Sequence, residues 1–357
     1  MRVTRESELA DVVREATGPL QIIGGGTRPV GQGGGTALQV AISGISLYEP
    51  GALTLIAGAG TPLRVIEEAV AAEGQRLPFE PAAWNALLGT TGESTIGGVV
   101  AANVSGPRRI QAGACRDSLI GVRFVDGTGA VLKNGGRVMK NVTGYDLVKL
   151  MAGSWGTLGV LSEVAFKLLP AAPAQATLVM DVPLAEAAKV LSQALGSQFD
   201  TSGAGWLPGV GAIVRLEGLA DSVAYRAGKL AEVLAASAPK ILRDEGAALW
   251  RDLAEVKPLQ GARGDLWRFS VKPSEGPEIA ARLGGKVVLD WGGGLVWARV
   301  AEGTDARALA APYTGHATCL SGAFAAFEPE PAPVAALSRG LRARFDPKGL
   351  FNPGKMG

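Results

Sequence analysis

Short apolar runs separated by glycine-rich turns make up the first half of the chain. Residues 1–16 alternate charged and apolar positions at helical spacing, which predicts an amphipathic helix. Further apolar runs predict strands at 19–23, 36–42, 53–58, 118–125, 130–133 and 160–169. Helices are predicted from an N-cap at Thr61, over 99–103 and over 146–152. This half is therefore expected to mix helices and sheets.

In the second half of the chain, strands and helices alternate in a different order. The apolar pattern predicts strands at 177–182, 211–217, 266–271, 286–291 and 294–300. It predicts helices at 184–195, 220–236, 277–283, 304–311 and 334–345. Two rounds of strand–helix–strand indicate an α+β, ferredoxin-like sheet with helices on one face. Proline-rich stretches at 170–174 and 328–333 are typical of linkers on either side of it.

Composition restricts the class of protein. A length of 357 residues suggests two or more domains, and 47% hydrophobic against 19% charged residues supplies a large core. The formal net charge of +2, with Lys and Arg scattered, argues against nucleic acid as a main partner. No apolar run reaches the roughly 18–20 residues that span a bilayer. We therefore expect a cytoplasmic protein that meets a membrane only through partners.

Cysteine usage points in the same direction. Cys115 and Cys319 lie far apart in the sequence, and neither belongs to a CxxC pair. Two such thiols cannot hold an iron–sulfur cluster and define no disulfide framework. Reduced, buried cysteines in a cytosolic protein are therefore expected.

Two glycine loops resemble dinucleotide-binding fingerprints but fail their spacing. After Gly24 and Gly26 the third glycine would fall on Pro29, and after the Gly58–Gly60 pair it would fall on Leu63. The third glycine of that fingerprint allows close packing of helix on strand, which a leucine prevents. A nicotinamide-binding Rossmann site is therefore not favoured.

The loop after the first strand still has the makings of an anion site. Consecutive N–H groups over 24–28 can form a concave nest around a pyrophosphate, although a plain glycine turn explains the loop equally well. A second loop, 89–98, supplies small hydroxyl donors and further glycines. Two such loops on one ligand suit a long molecule with phosphates at one end and a polar ring at the other. This second loop therefore favours the anion site.

Longer motifs resemble a known family. GGGT at 24–27, STIGGVVAANVSGPRR at 94–109, KNVTGYDL at 140–147 and GSWGTLGVL at 153–161 resemble the vanillyl-alcohol-oxidase/PCMH-type FAD-binding flavoproteins. FDPKGLFNPGKM at 345–356 is similar to the terminus of the branch of that family that oxidises glycolate and D-lactate. DWGGGLVW at 290–297 and GHAT at 315–318 resemble the FAD-binding subunits of glycolate oxidase. The resemblance covers nearly the whole chain.

The resemblance implies both a fold and a cofactor site. It implies a PCMH-type FAD-binding domain of two α+β subdomains over 1–170, a cap over 171–330, and a segment 331–357 that returns to the FAD domain. It places the pyrophosphate at Ile23, Gly24, Gly25, Gly26, Thr27 and Arg28. It places FAD along Pro81, Thr91, Ser94, Thr95, Gly97, Gly98, Ala101, Ala102 and Gly106, with the backbone of Val160 near the ring and Asn352 at its edge.

Two departures from the family change the expected chemistry. Some relatives link FAD through a His or a Cys in the glycine loops, and this chain has neither there, so non-covalent FAD is expected. Relatives that oxidise 2-hydroxy acids carry several cap histidines for a metal and for proton abstraction. This chain has the single histidine His316, so no metal site is predicted.

Candidate catalytic residues are correspondingly few. His316 is either a lone general base or a hydrogen-bonded cap histidine. Arg108 and Arg109 either hold a substrate carboxylate or form a solvated turn.

Three functions remain open at this point. The first is an FAD-carrying, electron-transfer or accessory subunit of a glycolate oxidase complex, with a homologous catalytic flavin subunit and an iron–sulfur subunit as partners. The second is a self-sufficient FAD-dependent 2-hydroxy-acid dehydrogenase. The third is a structural subunit without flavin.

Overall fold

A computed structural model describes residues 1–31, 33–136 and 144–356. Of the motifs quoted above, the stretch 140–143 lies outside these ranges. The described residues form four β-sheets with helices packed against them, so the predicted α+β class is confirmed. None of the helices in these ranges is both long and apolar enough to cross a membrane.

The first 170 residues form two sheets that each carry their own helices. The strands are β1 (Arg2–Val3), β2 (Leu20–Ile23), β3 (Thr36–Val40), β4 (Ile45–Glu49), β5 (Thr54–Gly58), β6 (Gln75–Arg76), β7 (Leu119–Val125), β8 (Val131–Gly135), β9 (Val160–Lys167) and β10 (Leu169–Pro170). The helices are α1 (Glu6–Glu15), α2 (Leu63–Ala72), α3 (Asn85–Leu88), α4 (Ile96–Ala101), α5 (Arg109–Ala112), α6 (Cys115–Ser118) and α7 (Leu147–Met151). A parallel sheet β1–β3–β2 lies beside an antiparallel sheet β4–β5–β9–β7–β8, while β6 pairs with β10. These are the two expected α+β subdomains.

One eight-stranded sheet dominates the second half. Its strands are β11 (Ala174–Met180), β12 (Thr201–Leu207), β13 (Gly211–Gly218), β14 (Lys240–Leu242), β15 (Asp265–Val271), β16 (Lys286–Asp290), β17 (Leu295–Val300) and β18 (Gly315–Ser321). The helices are α8 (Leu184–Leu195), α9 (Ala220–Val233), α10 (Gly246–Ala254), α11 (Gly276–Leu283), α12 (Ala306–Ala310) and, after the sheet, α13 (Ala332–Phe345). The strand order is β14–β11–β13–β12–β16–β17–β15–β18, with antiparallel pairing throughout. The sheet lies inside the predicted cap, whose exact limits stay a prediction.

The two faces of the cap sheet have different neighbours. Because side chains alternate along a strand, Trp267 and Phe269 of β15 point to the face that packs on α8, α9, α11 and α12, which we call the outer face. Leu266 of β15, Trp297 of β17 and Leu320 of β18 instead join the hydrophobic core of the FAD domain. We call their side of the sheet the inner face.

A cluster of buried charges also joins cap and FAD domain. Arg215 of β13 donates from Nη1 and Nη2 to the carboxylate of Glu80, at 2.9 Å each. Arg108 donates to Glu217 from Nε at 2.9 Å and from Nη2 at 2.7 Å, and Arg76 reaches Glu217 at 2.6 Å. We call these five residues the boundary ion cluster. Each cation meets a carboxylate of the other domain, so the loss of one partner would leave a buried charge uncompensated.

Several elements differ from the sequence-based expectation. Strands β4, β12 and β18 and helix α10 were not predicted, and α10 lies on the inner face, away from the other cap helices. The predicted N-cap at Thr61 is wrong, because Pro62 occupies that position. The Thr61 hydroxyl instead donates to the carbonyl of Gly58 at 2.6 Å. The small-residue helix predicted at 99–103 begins earlier, as α4, where the hydroxyl of Thr95 accepts from Gly98 N at 3.4 Å.

Candidate cofactor site

A cavity of about 310 Å³ opens between the end of β2 and the start of α4. This volume falls at the lower end of the range of small-molecule pockets. Its lining comes from both sheets of the first domain and from the C-terminal segment: residues 21–29, Val40, Ala59, Thr95, Gly97, Gly98, Ala101, residues 154–156, residues 159–161 and Lys355. Residues far apart in the sequence therefore meet around one space.

Close backbone contact brings the two glycine loops together in one wall. A methyl group on Gly25 would lie 1.6 Å from the carbonyl oxygen of Glu93, and one on Gly92 would lie 1.7 Å from the carbonyl oxygen of Gly25. Only glycine permits backbones to approach this closely. The glycines therefore serve contact between loops as well as contact with a ligand.

The first loop offers unused donors toward the cavity. Within the described ranges, the backbone N–H groups of Gly25, Gly26, Thr27 and Arg28 donate no hydrogen bond. Thr27 is buried and Gly25 and Arg28 are half-buried, so their N–H groups are expected to meet an acceptor, either water or a ligand. Successive N–H groups in a turn form a nest for anions, and a pyrophosphate fits this donor set.

Arg28 holds the two loops in place. Its Nη1 donates to Ser94 Oγ at 3.0 Å and to Thr27 Oγ1 at 3.2 Å, and its Nη2 reaches the carbonyl of Ala82. Burial lowers the pKa of Arg28 to about 10, so the side chain stays charged at neutral pH. It adds a positive charge beside the nest without losing its structural contacts.

Most of the predicted cofactor residues surround the cavity. Those that line it are Ile23, Gly24, Gly25, Gly26, Thr27, Arg28, Thr95, Gly97, Gly98, Ala101 and Val160. Those outside its lining are Pro81, Thr91, Ser94, Ala102, Gly106 and Asn352. Ser94 still supports the wall through Arg28, and the carbonyl of Gly106 accepts from Trp291 Nε1 at 3.0 Å. Thr91 lies exposed.

Asn352 acts behind the cavity wall. Its Oδ1 accepts from the N–H of Ile22 at 2.9 Å, and its Nδ2 donates to the carbonyls of Trp155 at 2.9 Å and Gly156 at 3.3 Å. All three of these partners line the cavity. The Asn352 side chain therefore forms hydrogen bonds that join two walls of the cavity. The sequence motif had suggested that this side chain approaches the edge of the flavin.

Lys355 is a lining residue that the sequence motif contained but that was not singled out. Its ammonium lies 5.6 Å from the ring centroid of Trp155, and burial lowers its pKa. The NPGK motif could have indicated this residue, because its lysine is the charged side chain that follows Asn352 in the sequence. Other lining residues such as Val40 and Ala59 are ordinary apolar positions that carry no such signal.

The residue types in the lining bear on how a cofactor could be attached. The described residues that line the cavity include no histidine and no cysteine. Cys115 is fully buried in the core, where burial raises its pKa, and Cys319 is also buried and unpaired. Across the described ranges, no group of three or more His, Cys, Asp or Glu side chains could hold a metal ion.

The two arginines at 108 and 109 have separate surroundings. Arg108 is committed to Glu217, so it is not available to a substrate. Arg109 instead lies with its guanidinium carbon 4.2 Å from the ring centroid of Trp291. His316 lies on β18 with an exposed side chain, and partial desolvation of its ring together with the charge of Arg268 lowers its pKa. The proposed arginine pair is therefore wrong for Arg108, while Arg109 stays a candidate.

The fold and cavity define a PCMH-type flavoprotein fold, and comparisons with known proteins agree. An FAD binding domain family matches residues 1–135. The structure is similar to p-cresol methylhydroxylase, with a TM-score of 0.71 at 13% identity over 99% of this chain and 88% of that one. It is also similar to alkyldihydroxyacetonephosphate synthase, with a TM-score of 0.69 at 15% identity over 100% of this chain and 77% of that one.

Sequence comparison is more specific. The glycolate oxidase subunit GlcE of Escherichia coli (strain K12) is 38% identical over 88% of this chain and 84% of its own length. The glycolate oxidase subunit GlcD of Bacillus subtilis (strain 168) is 42% identical over 24% of this chain and 18% of its own length. The chain belongs to the GlcE family of FAD-binding oxidoreductase subunits.

Proposed function

We propose that the chain is the FAD-binding subunit of a glycolate oxidase complex, carrying flavin as an electron-transfer or accessory subunit. The observation that carries this proposal is the cavity wall of two interlocked glycine loops, with four unused backbone N–H groups at 25–28. FAD is held there without a covalent bond. The pyrophosphate lies at this nest, and the ring lies toward Val160 and Lys355.

The partners follow from the same proposal. A homologous catalytic flavin subunit and an iron–sulfur subunit complete the complex, and any membrane contact is made through them. Cys115 and Cys319 are both buried and unpaired, and two such thiols cannot hold a cluster. Electrons therefore leave the flavin through another chain.

The first experiment is a visible spectrum of the freshly purified chain, followed by acid precipitation. We expect a flavin band, and we expect all of the yellow colour in the acid supernatant because the described lining residues include no histidine and no cysteine. Colour that stays with the precipitate contradicts non-covalent binding. A colourless protein that takes up no added FAD refutes the proposal in favour of a structural subunit.

A second candidate function is favoured by the site around Trp291. Arg109, Arg268 and His316 lie near one another there, which is the residue set that a self-sufficient 2-hydroxy-acid dehydrogenase needs. Stopped-flow mixing of the isolated flavin-loaded chain with glycolate separates the two functions. The subunit proposal predicts no bleaching of the flavin without partners, whereas rapid bleaching supports the second candidate.

A further inference from the structure

Two arginines from different domains meet at one tryptophan ring. Arg109 of α5 lies 4.2 Å from the ring centroid of Trp291, and Arg268 of β15 lies 5.1 Å from the same centroid. The indole is fixed because its Nε1 donates to the carbonyl of Gly106 at 3.0 Å. Both guanidinium groups therefore border the same indole ring, and the charge of Arg109 acts on Arg268.

In the described ranges neither guanidinium forms an ion pair; Asp290 acts on Arg268, and Asp117 on Arg109, only through longer-range charge. Among the described residues, the side chains of Arg109 and Arg268 make no hydrogen bond and no ion pair, and Arg268 Nε is buried without an acceptor. By contrast, Arg108 and Arg215 of the boundary ion cluster each form an ion pair with a carboxylate. Both side chains are half-buried, so an anion that pairs with them would offset part of their desolvation cost.

The acidic groups nearby are already engaged elsewhere. Asp290 is buried, and its Oδ1 accepts from the N–H of Trp291 at 2.7 Å. Glu328 accepts from the N–H of Ala317 at 3.0 Å and from the hydroxyl of Tyr313. Burial and the charge of Arg109 lower the pKa of Arg268 to about 10, which leaves it protonated at neutral pH. The site therefore keeps a net positive charge.

The inner face of the cap sheet presents this site toward the FAD domain. Arg268 pairs with Trp297 on β17 and with Thr318 on β18, and Ser270 pairs with His316, so these side chains share the inner face. Arg109 and Arg268 are partly accessible and His316 is exposed. Both arginines therefore keep part of their surface in contact with solvent, and the exposed His316 lies close to Arg268 on the same face.

A chain of ring contacts links the site to the cofactor cavity. Arg268 lies 5.6 Å from the ring of Trp297, which meets Trp84 edge-on at 5.3 Å. Arg28, which lines the cavity, lies 5.3 Å from the ring of Trp84. The arginine pair is thus a neighbour of the cavity, two aromatic rings away.

We propose that Arg109 and Arg268 form a binding site for a small carboxylate, with His316 at its open end. The planar fork of a guanidinium matches a carboxylate bidentately, and one from each domain clamps the anion across the boundary. The choice of a small 2-hydroxy or 2-oxo carboxylate rests on the proposed function. The proposal that a carboxylate binds between Arg109 and Arg268 does not depend on whether the isolated chain oxidises that carboxylate.

The test uses the full chain and oxalate, a small carboxylate that cannot be oxidised by hydride loss. Calorimetric titration of the wild type with oxalate is expected to show saturable binding, and the flavin-loaded chain is expected to show a visible difference spectrum. Arg109→Met and Arg268→Met are each expected to weaken binding at least about tenfold, since each removes a charge-assisted pair. Arg64→Met, at an exposed ion pair on α2, is the matched control and is expected to bind like the wild type.

Further variants and ligands distinguish a failure of the carboxylate site from a failure of the proposed function. Arg268→Lys keeps the charge without the fork, so it is expected to hold its FAD and melting temperature and still bind oxalate more weakly. Wild-type affinity in both arginine variants, or equal affinity for inorganic phosphate, overturns the carboxylate site. A chain without flavin that still binds oxalate by calorimetry refutes the proposed function but not this site.

Discussion

Replacing Glu217 by Gln is expected to destabilise the protein by about 3–5 kcal/mol, the usual cost of removing one partner of a buried ion pair. The carboxylate of Glu217 accepts three close donors, from Arg108 at 2.9 and 2.7 Å and from Arg76 at 2.6 Å. Its side chain is only 6% exposed, so water cannot replace it. Among the described residues, the variant would leave Arg76 without an anion and Arg108 with only Glu80, at 3.4 Å.

The acid sensitivity of this contact has a definite sign. Burial alone would raise the pKa of Glu217, but hydrogen bonds from Arg108 and the charge of Arg215 hold it well below its ordinary value of 4.5. A depressed carboxyl pKa contributes stability above the ordinary pKa and loses it as pH falls further. The difference in unfolding free energy between the wild type and E217Q should therefore shrink as pH falls below about 4.5.

The assay is thermal unfolding followed by circular dichroism, with Glu68→Gln as the matched control. Unfolding entropies per residue imply a fall in Tm of roughly 4–7 °C for E217Q when the whole chain unfolds together. Glu68 pairs with Arg64 at 2.8 Å on an exposed helix face, so its variant should change stability by about 0.5 kcal/mol or less. Equal effects of the two substitutions at neutral pH would refute the reasoning.

Three further expectations can be measured alongside it. Gly25→Ala should abolish FAD retention, because the new methyl group meets the carbonyl of Glu93 at 1.6 Å, whereas Gly34→Ala, with open space, should retain FAD by absorbance. Asn352→Ala should cost about 1–3 kcal/mol in denaturant unfolding and lower the FAD content, because it orphans buried partners; unchanged FAD affinity would contradict its bracing role. Burial raises the pKa of Asp290 to about 7, so wild-type stability should fall as pH rises from 3.8 toward that value. Asp290→Asn should flatten the dependence of unfolding free energy on pH. If the variant shows the same pH dependence as the wild type, Asp290 is not its cause.

The sequence predicted the elements whose apolar pattern follows a single packing face. Helix α8 and the pair β7–β8 lie where the periodicity placed them. Strand β12 was missed because its sequence, TSGAGWL, has little strand character. Its glycines make room for α10: a methyl group on Gly203 would meet Trp250 at 2.7 Å, and one on Gly205 would meet Leu253 at 2.6 Å. Such long-range contacts leave no local signal.

The candidate site likewise contains residues that the sequence predicted and residues that it did not. The loop residues 24–28 carried a local signal that fitted an anion nest and a plain glycine turn equally well, and the second loop at 89–98 favoured the nest. The role of Arg108 was not predictable, because its partner Glu217 is 109 residues away in the chain. Arg268 lies in an unremarkable strand, and only the pairing of β15 with β17 and β18 places it beside Trp297 and near His316. Tertiary pairing, not pattern, assembles that part of the site.

The C-terminal segment has a consequence for the order in which the chain matures. Leu20, on the open edge of β2, donates its N–H to Leu350 O at 2.7 Å and accepts from Asn352 N at 3.0 Å. A ribosome that adds 5–20 residues each second makes the two partners roughly 15–65 s apart. All strands of the cap sheet are therefore synthesised before the residues that cover the edge of β2. During that interval the unpaired edge is open to association with other chains.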